Sequence, residues 1–135
     1  MTDTAAKAAR MAEEKLLALV DARPPEFSDE SLAQQFARLH GDVLRYVAAW
    51  SQWHVWADAR WSPDSTLVAF DLARAICRAA SSEAEKPGIK TALASAKTVA
   101  AIERLAKADR LIAATVEQWD ADPDVLNIQI REKRP

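Results

Sequence analysis

Leu39 to Trp61, LHGDVLRYVAAWSQWHVWADARW, is the stretch that most restricts what this chain can fold into. It carries four of the five tryptophans, the single tyrosine and both histidines. Trp50, Trp53, Trp56 and Trp61 fall within twelve positions. Each such ring buries a large area and dominates a small core. Rings this crowded either nucleate the fold or form a stacking surface, and nucleation is the stronger expectation.

The stretch reads as a short antiparallel meander. Leu44 to Ala48 is a β-prone run holding one charge, Arg45. Trp53, His54, Val55 and Trp56 form a second run. Strand side chains alternate, so Trp53 and Val55 share one face while His54 and Trp56 share the other. Ala57-Asp58-Ala59 is a hairpin-sized link to Arg60 and Trp61. Tight primed turns want glycine at positive φ, so Ala59 predicts a wider or slightly strained loop. Ser62-Pro63-Asp64 ends the sheet, because proline donates no ladder hydrogen bond.

Elsewhere helices dominate. Half the residues are apolar and only two are glycine, with alanine abundant, which favours helix over an all-β fold. Met11, Leu16, Leu19 and Val20 predict a helix over residues 4–21, stopped by Arg23-Pro24-Pro25. Residues 1–27 thus form an N-terminal helix and a stiff linker. Ser28 caps a second helix over residues 30–39, with Leu32, Phe36 and Leu39 on one face. Gly41 suits the left-handed position past its end. Asp64 or Ser65 caps a third helix reaching Ser82, with Val68, Leu72, Ala75, Ile76 and Ala79 inward and Arg74 and Arg78 on another face. A polar break over 83–88, ending in Pro87-Gly88, precedes a fourth helix over 90–108. Leu111 to Ala114 is extended, and Thr115 caps one turn carrying Trp119. Asp120-Ala121-Asp122-Pro123-Asp124 is an acidic turn, and the tail over 128–135 is loose. The expected class is α+β, mainly α: four main helices with a small three-stranded antiparallel aromatic-rich meander, the domain spanning 28–127.

The same residues exclude much chemistry. No apolar run approaches the roughly 18 residues of a membrane span, and the N-terminus shows no signal-peptide core. The single cysteine, Cys77, rules out an internal disulfide and fits a reducing cytoplasm. There is no glycine-rich phosphate loop. Asp120, Asp122 and Asp124 alternate, but the bend glycine and distal glutamate of a calcium loop are missing. His40 and His54 have no partner at metal-ligand spacing. No catalytic residue, metal or cofactor is expected. A net charge of −2 argues against a bulk electrostatic clamp on nucleic acid. Residues 36–107 are nevertheless mildly basic, ten Lys and Arg against seven Asp and Glu.

Four strings carry a family resemblance: SDESLAQQFARLHGDVLRYVAAW, WHVWADARW, LASAKTVAAIERLAKADR and VEQWDADPDVLN. Together they set tryptophans at fixed offsets from Arg45-Tyr46-Val47 and from Asp120-Ala121-Asp122-Pro123. Over Ser28–Asn127, about three-quarters of its length, the chain resembles the central domain of phage and plasmid primase-helicases. That domain is related to the segment N-terminal to the poxvirus-type superfamily 3 helicase. The family usually has Asp-Gly where Asp58-Ala59 stands, and a tryptophan where Asp124 stands. Beyond Asn127 it continues toward the helicase, whereas this sequence reads IQIREKRP. The expectation is a domain truncated before the helicase, either a broken gene or a detached module.

The resemblance implies a role in viral or mobile-element DNA replication, without ATPase, helicase or priming activity of its own. The first expectation is a non-catalytic cytoplasmic module that positions or connects primase and helicase functions and touches single-stranded DNA. Arg45, Arg60, Trp53 and Trp56 are its candidate nucleic-acid residues, because single-strand binders pair positive charge with aromatic platforms. The alternative is a stand-alone phage-derived interaction protein that binds a host or phage protein. Leu16, Leu17, Leu19 and Val20 on the first helix need a covering surface, which makes a weak homodimer through that helix a further expectation.

Overall fold

The computed structural model describes residues 2–121; Asp120 and Ala121 end a short helix rather than open the expected acidic turn, and the rest of that turn and the tail, Asp122 to Pro135, lie outside the described residues. The expected first helix is α1 (Thr2–Asp21). Met11, Leu16, Leu17, Leu19 and Val20 are all about half exposed or more along it, which leaves its apolar stripe largely uncovered.

Ser28 starts the second helix. Its hydroxyl accepts from the Ser31 amide at 3.2 Å and caps α2 (Asp29–His40). Asp64 does the equivalent for α3 (Val68–Glu83): its carboxylate accepts from the amides of Thr66, Val68 and Ala69 at 3.3, 2.9 and 3.0 Å. The fourth expected helix is in fact two, α4 (Pro87–Leu93) and α5 (Ala96–Ala106). Ser95 causes the break. Its hydroxyl accepts from the Thr98 amide (3.2 Å) and donates to the Ala92 carbonyl (2.8 Å), closing one helix while capping the next. Pro87 belongs to α4 rather than to the break before it, at a first position where its missing N–H loses no bond. Helices α2, α3 and α5 pack on one another through Phe36, Ala37, Ala73, Ile102 and Ala106, all fully buried.

The meander forms as β1 (Leu44–Val47), β2 (Gln52–Trp56) and β3 (Trp61–Pro63). A fourth strand, β4 (Ala113–Ala114), pairs parallel with β1, giving the order β3-β2-β1-β4. The sheet is therefore mixed and four-stranded, and five main helices replace the expected four. Asp109 explains β4, which is too short to show a period. Its carboxylate accepts from the Leu111 amide and its carbonyl from those of Ile112 and Ala113, at 2.9, 2.9 and 2.8 Å. That turn sinks Ile112 fully into the core and presents its carbonyl to the Tyr46 amide at 2.9 Å.

The expectation at Gly41 is corrected, and the Asp58-Ala59 link takes the strained of its two expected forms. Gly41 is right-handed (φ −62°, ψ −18°), not left-handed. Glycine is needed there for close approach, since a Cβ would lie 2.7 Å from the Ala37 carbonyl oxygen and 3.2 Å from Leu111 Cβ. The link after β2 is not wider than a tight turn. Ala57 and Arg60 exchange backbone hydrogen bonds of 2.8 and 3.2 Å, and Asp58 and Ala59 both hold positive φ (54° and 60°). This is a two-residue primed turn, and the expected strain is present because alanine occupies a left-handed position. Ala59→Gly is expected to stabilise the domain by about 1 kcal/mol. Urea denaturation checks this as a raised midpoint with an unchanged slope.

Candidate nucleic-acid interface

Strand register decides where each ring points. Residues opposite one another share a sheet face. Leu44, Tyr46, Trp53 and Val55 therefore lie on one side, and Arg45, Val47, His54, Trp56 and Trp61 on the other. The first side meets the helices. Trp53 is only 8% exposed there, edge-on to Tyr46 at 5.2 Å and to Phe36 at 6.1 Å. Its indole N–H is buried without a hydrogen-bond partner among the described residues. Leaving it unpaired costs about 1–3 kcal/mol, which the ring's buried area must outweigh.

The opposite side gathers a second aromatic cluster from three parts of the chain. Trp50 comes from a single 3-10 turn (Ala48–Trp50) in the β1–β2 connection. Trp119 comes from α6 (Val116–Ala121), which a reciprocal cap starts: Thr115 Oγ1 accepts from the Gln118 amide (3.0 Å), and Gln118 Oε1 accepts from the Thr115 amide (2.9 Å). The Trp119 ring centre lies 4.7 Å from His54, 5.7 Å from Trp61 and 6.4 Å from Trp50. Trp56 stacks obliquely on Trp61 at 5.6 Å. The base of the cluster is closed, since Val47 is fully buried and Trp61 nearly so. Its outer edge is open: Trp50 is 45% exposed and Trp56 half-buried.

Arg45 places a cation on this face. Its Cζ lies 5.2 Å from the Trp61 ring centre, and Nη1 donates to the carbonyls of Gly41 and Leu44. Burial lowers its pKa and nearby Asp42 opposes that, while a guanidinium remains charged at any ordinary pH. Nε and Nη2 have no partner among the described residues. Arg60 is exposed in the turn joining the strands of Trp56 and Trp61. Indole rings can stack bases through their faces, and guanidinium groups beside them can neutralise phosphates. Among the described residues no cluster of three or more His, Cys, Asp or Glu is placed to hold a metal. Cys77 is buried, and burial, with Asp29 second, pushes its thiol pKa up and away from thiolate chemistry.

His54 is the titratable centre of the cluster. It is 6% exposed, with Nδ1 buried and unpartnered among the described residues, and its direct cross-strand neighbour is Arg45 rather than a carboxylate. Burial holds its pKa below the ordinary 6.5, with the Gln52 backbone opposing. His40, edge-on to Phe36 at 5.1 Å, is lowered by burial too, against Asp42. The unfolded chain therefore binds more protons than the folded one as pH falls through this range. Stability is complete above about pH 6.5 and is expected to decline below it, levelling off beneath the folded-state pKa values. Urea midpoints taken from pH 8 to pH 5 test this, and His54→Leu is expected to flatten the decline, leaving only the His40 share.

Of the four residues expected to contact nucleic acid, Arg45 and Trp56 share this face and Arg60 stands at its hairpin tip. Trp53 faces the helical core, where no base reaches it without opening the fold. Trp50 and Trp119 join the cluster without having been singled out for contact. The string VEQWDADPDVLN marks Trp119 as notable, yet nothing local to it shows that α6 lies against β2 and β3.

What these features define is a helix-layered α+β module, with a small sheet whose far face carries rings and cations. The chain belongs to the D5 N terminal-like family, whose model matches residues 33–129. This is the N-terminal domain found in phage and plasmid primase-helicases, a replication-associated region that is non-catalytic by itself. Comparison with curated proteins and with solved structures finds no significant match. Among the described residues no helix is long and apolar enough to cross a membrane.

Proposed function

We propose that the chain is a non-catalytic module of phage or plasmid DNA replication that positions or connects primase and helicase functions and contacts single-stranded DNA. The observation that carries the contact is the sheet's outer face, where Trp50 is 45% exposed and Trp56 half-buried on the side that holds Arg45, with Arg60 at its edge. Bases stack on the indoles, and phosphates meet the free donors of the two arginines. With only two cations engaged, binding is weak and its salt dependence shallow, a log–log slope of roughly −1 to −2. Titration of labelled oligothymidylate at low salt tests the contact. Saturable binding that is lost in Arg45→Ala with Arg60→Ala, with the folded midpoint checked in parallel, supports it. Absence of binding at high micromolar protein sinks it.

The second reading is a stand-alone phage-derived interaction protein that binds a host or phage protein. The open stripe on α1 favours it, with Leu16 60%, Leu19 75% and Val20 72% exposed. The same stripe suits a weak homodimer. Light scattering on the full chain against a deletion of residues 1–25 separates self-association from a foreign partner captured in a pull-down.

A further inference from the structure

We infer that the groove between α3 and the turn opening α5 docks an acidic amphipathic segment of a partner protein. This surface is separate from the aromatic sheet face, and the inference does not depend on nucleic-acid binding. A hollow of about 260 Å³ between α3 and the turn opening α5 adjoins one of about 530 Å³ along the start of α3, and the two meet at Phe70 and Arg74. Their lining is mostly apolar, chiefly Leu67, Phe70, Leu72 and Val99. Arg74 and Arg78, one helical turn apart on α3, stand exposed at the rim. Asp71 already holds Arg74 at 2.9 Å, whereas Arg78 has no ion pair among the described residues. The charge that fits is therefore negative, and the shape that fits lays apolar side chains on the floor with carboxylates toward the arginines. The lining is largely aliphatic with a single ring, which suits leucine-like side chains better than stacked bases.

Leu67 supplies an independent reason. It is 71% exposed and held at φ 60°, ψ 38°, a conformation that branched side chains rarely adopt. The Asp64 carboxylate imposes it by binding the amides on either side, those of Thr66 and Val68. Glycine or asparagine would occupy that position at less cost, and in the free chain leucine gains little packing in return. A strained, exposed leucine at the edge of an apolar groove is suited to anchoring something outside the chain.

The test uses the full chain and a defined probe: a fluorescein-labelled 16-residue helical peptide with leucines along one face and glutamates flanking them. Anisotropy is expected to show saturable binding, with a Kd of roughly tens of micromolar. The same peptide with every glutamate replaced by lysine is expected to bind at least about tenfold more weakly. Arg78→Glu is expected to weaken the acidic peptide about five- to tenfold. Leu67→Gly is expected to weaken it about tenfold or more while the melting temperature stays level or rises, because the left-handed strain is relieved. A loss of binding that merely reflected unfolding would lower the melting temperature instead. No saturable binding up to about 1 mM, or equal binding of the lysine peptide, overturns the inference. So does an Arg78→Glu variant that loses oligothymidylate but keeps the peptide, since the groove would then belong to a nucleic-acid surface.

Discussion

Trp53→Ala is expected to destabilise the domain by about 3–5 kcal/mol, the usual cost of emptying a large aromatic site in a packed core. Folded domains of this size are stable by only about 5–15 kcal/mol, so the variant should lie close to its unfolding threshold. The physical reason is the ring's position. Phe36 and Tyr46 lean on it edge-on, and Leu44 and Val55 share its sheet face. Trp50→Ala, by contrast, removes a ring that is 45% exposed and is expected to cost less than about 1 kcal/mol. Urea denaturation of the two variants, side by side, measures the contrast. Similar midpoints would mean that the two rings are not divided between a sealed core and an open face.

The opposite pairing of effects is expected for binding. Replacing Trp50 and Trp56 together by alanine should weaken single-stranded DNA by about 30-fold or more, since each stacked base contributes roughly 1–3 kcal/mol. The fold should survive, because Trp61, Val47 and His54 form the buried base of that cluster and remain in place. Trp56 does touch Trp61 at 5.6 Å, so a small stability loss accompanies its removal. Anisotropy of labelled oligothymidylate gives the binding change, and circular dichroism melting of the same samples shows that it is not unfolding. A double variant that binds as the parent does would move the contact off this face.

Much of this division was legible in the residues themselves. Period-two alternation already sets Trp53 and Val55 against His54 and Trp56, and the structure keeps that assignment. Trp53 and Trp56, expected to share one contact surface, lie on opposite sheet faces by that same alternation, and charge and aromatic content alone do not show which face the helices cover. Helix starts were readable where one polar side chain makes the cap, as at Ser28, Asp64 and Thr115. The break at Ser95 was hidden, since alanines, lysines and aliphatic residues on both sides continue a helical pattern through it. β4 was hidden for a different reason. Two alanines have no periodicity, and their pairing with β1 depends on a turn built by Asp109 and on a strand more than sixty residues earlier. Trp119 was visible as a residue and invisible as a neighbour, because its contacts with His54 and Trp61 come only from tertiary docking of α6.

Contact at the outer sheet face is tested by following the indole N–H signals of the tryptophans by ¹⁵N–¹H NMR while oligothymidylate is added. If the outer sheet face is the contact surface, the Trp50 and Trp56 signals shift progressively to saturation, and their shifts vanish in Arg45→Ala with Arg60→Ala. The Trp53 indole, buried against Phe36 and Tyr46, stays where it is. Signals that do not move at millimolar oligonucleotide, or a Trp53 signal that moves with the others, would contradict it.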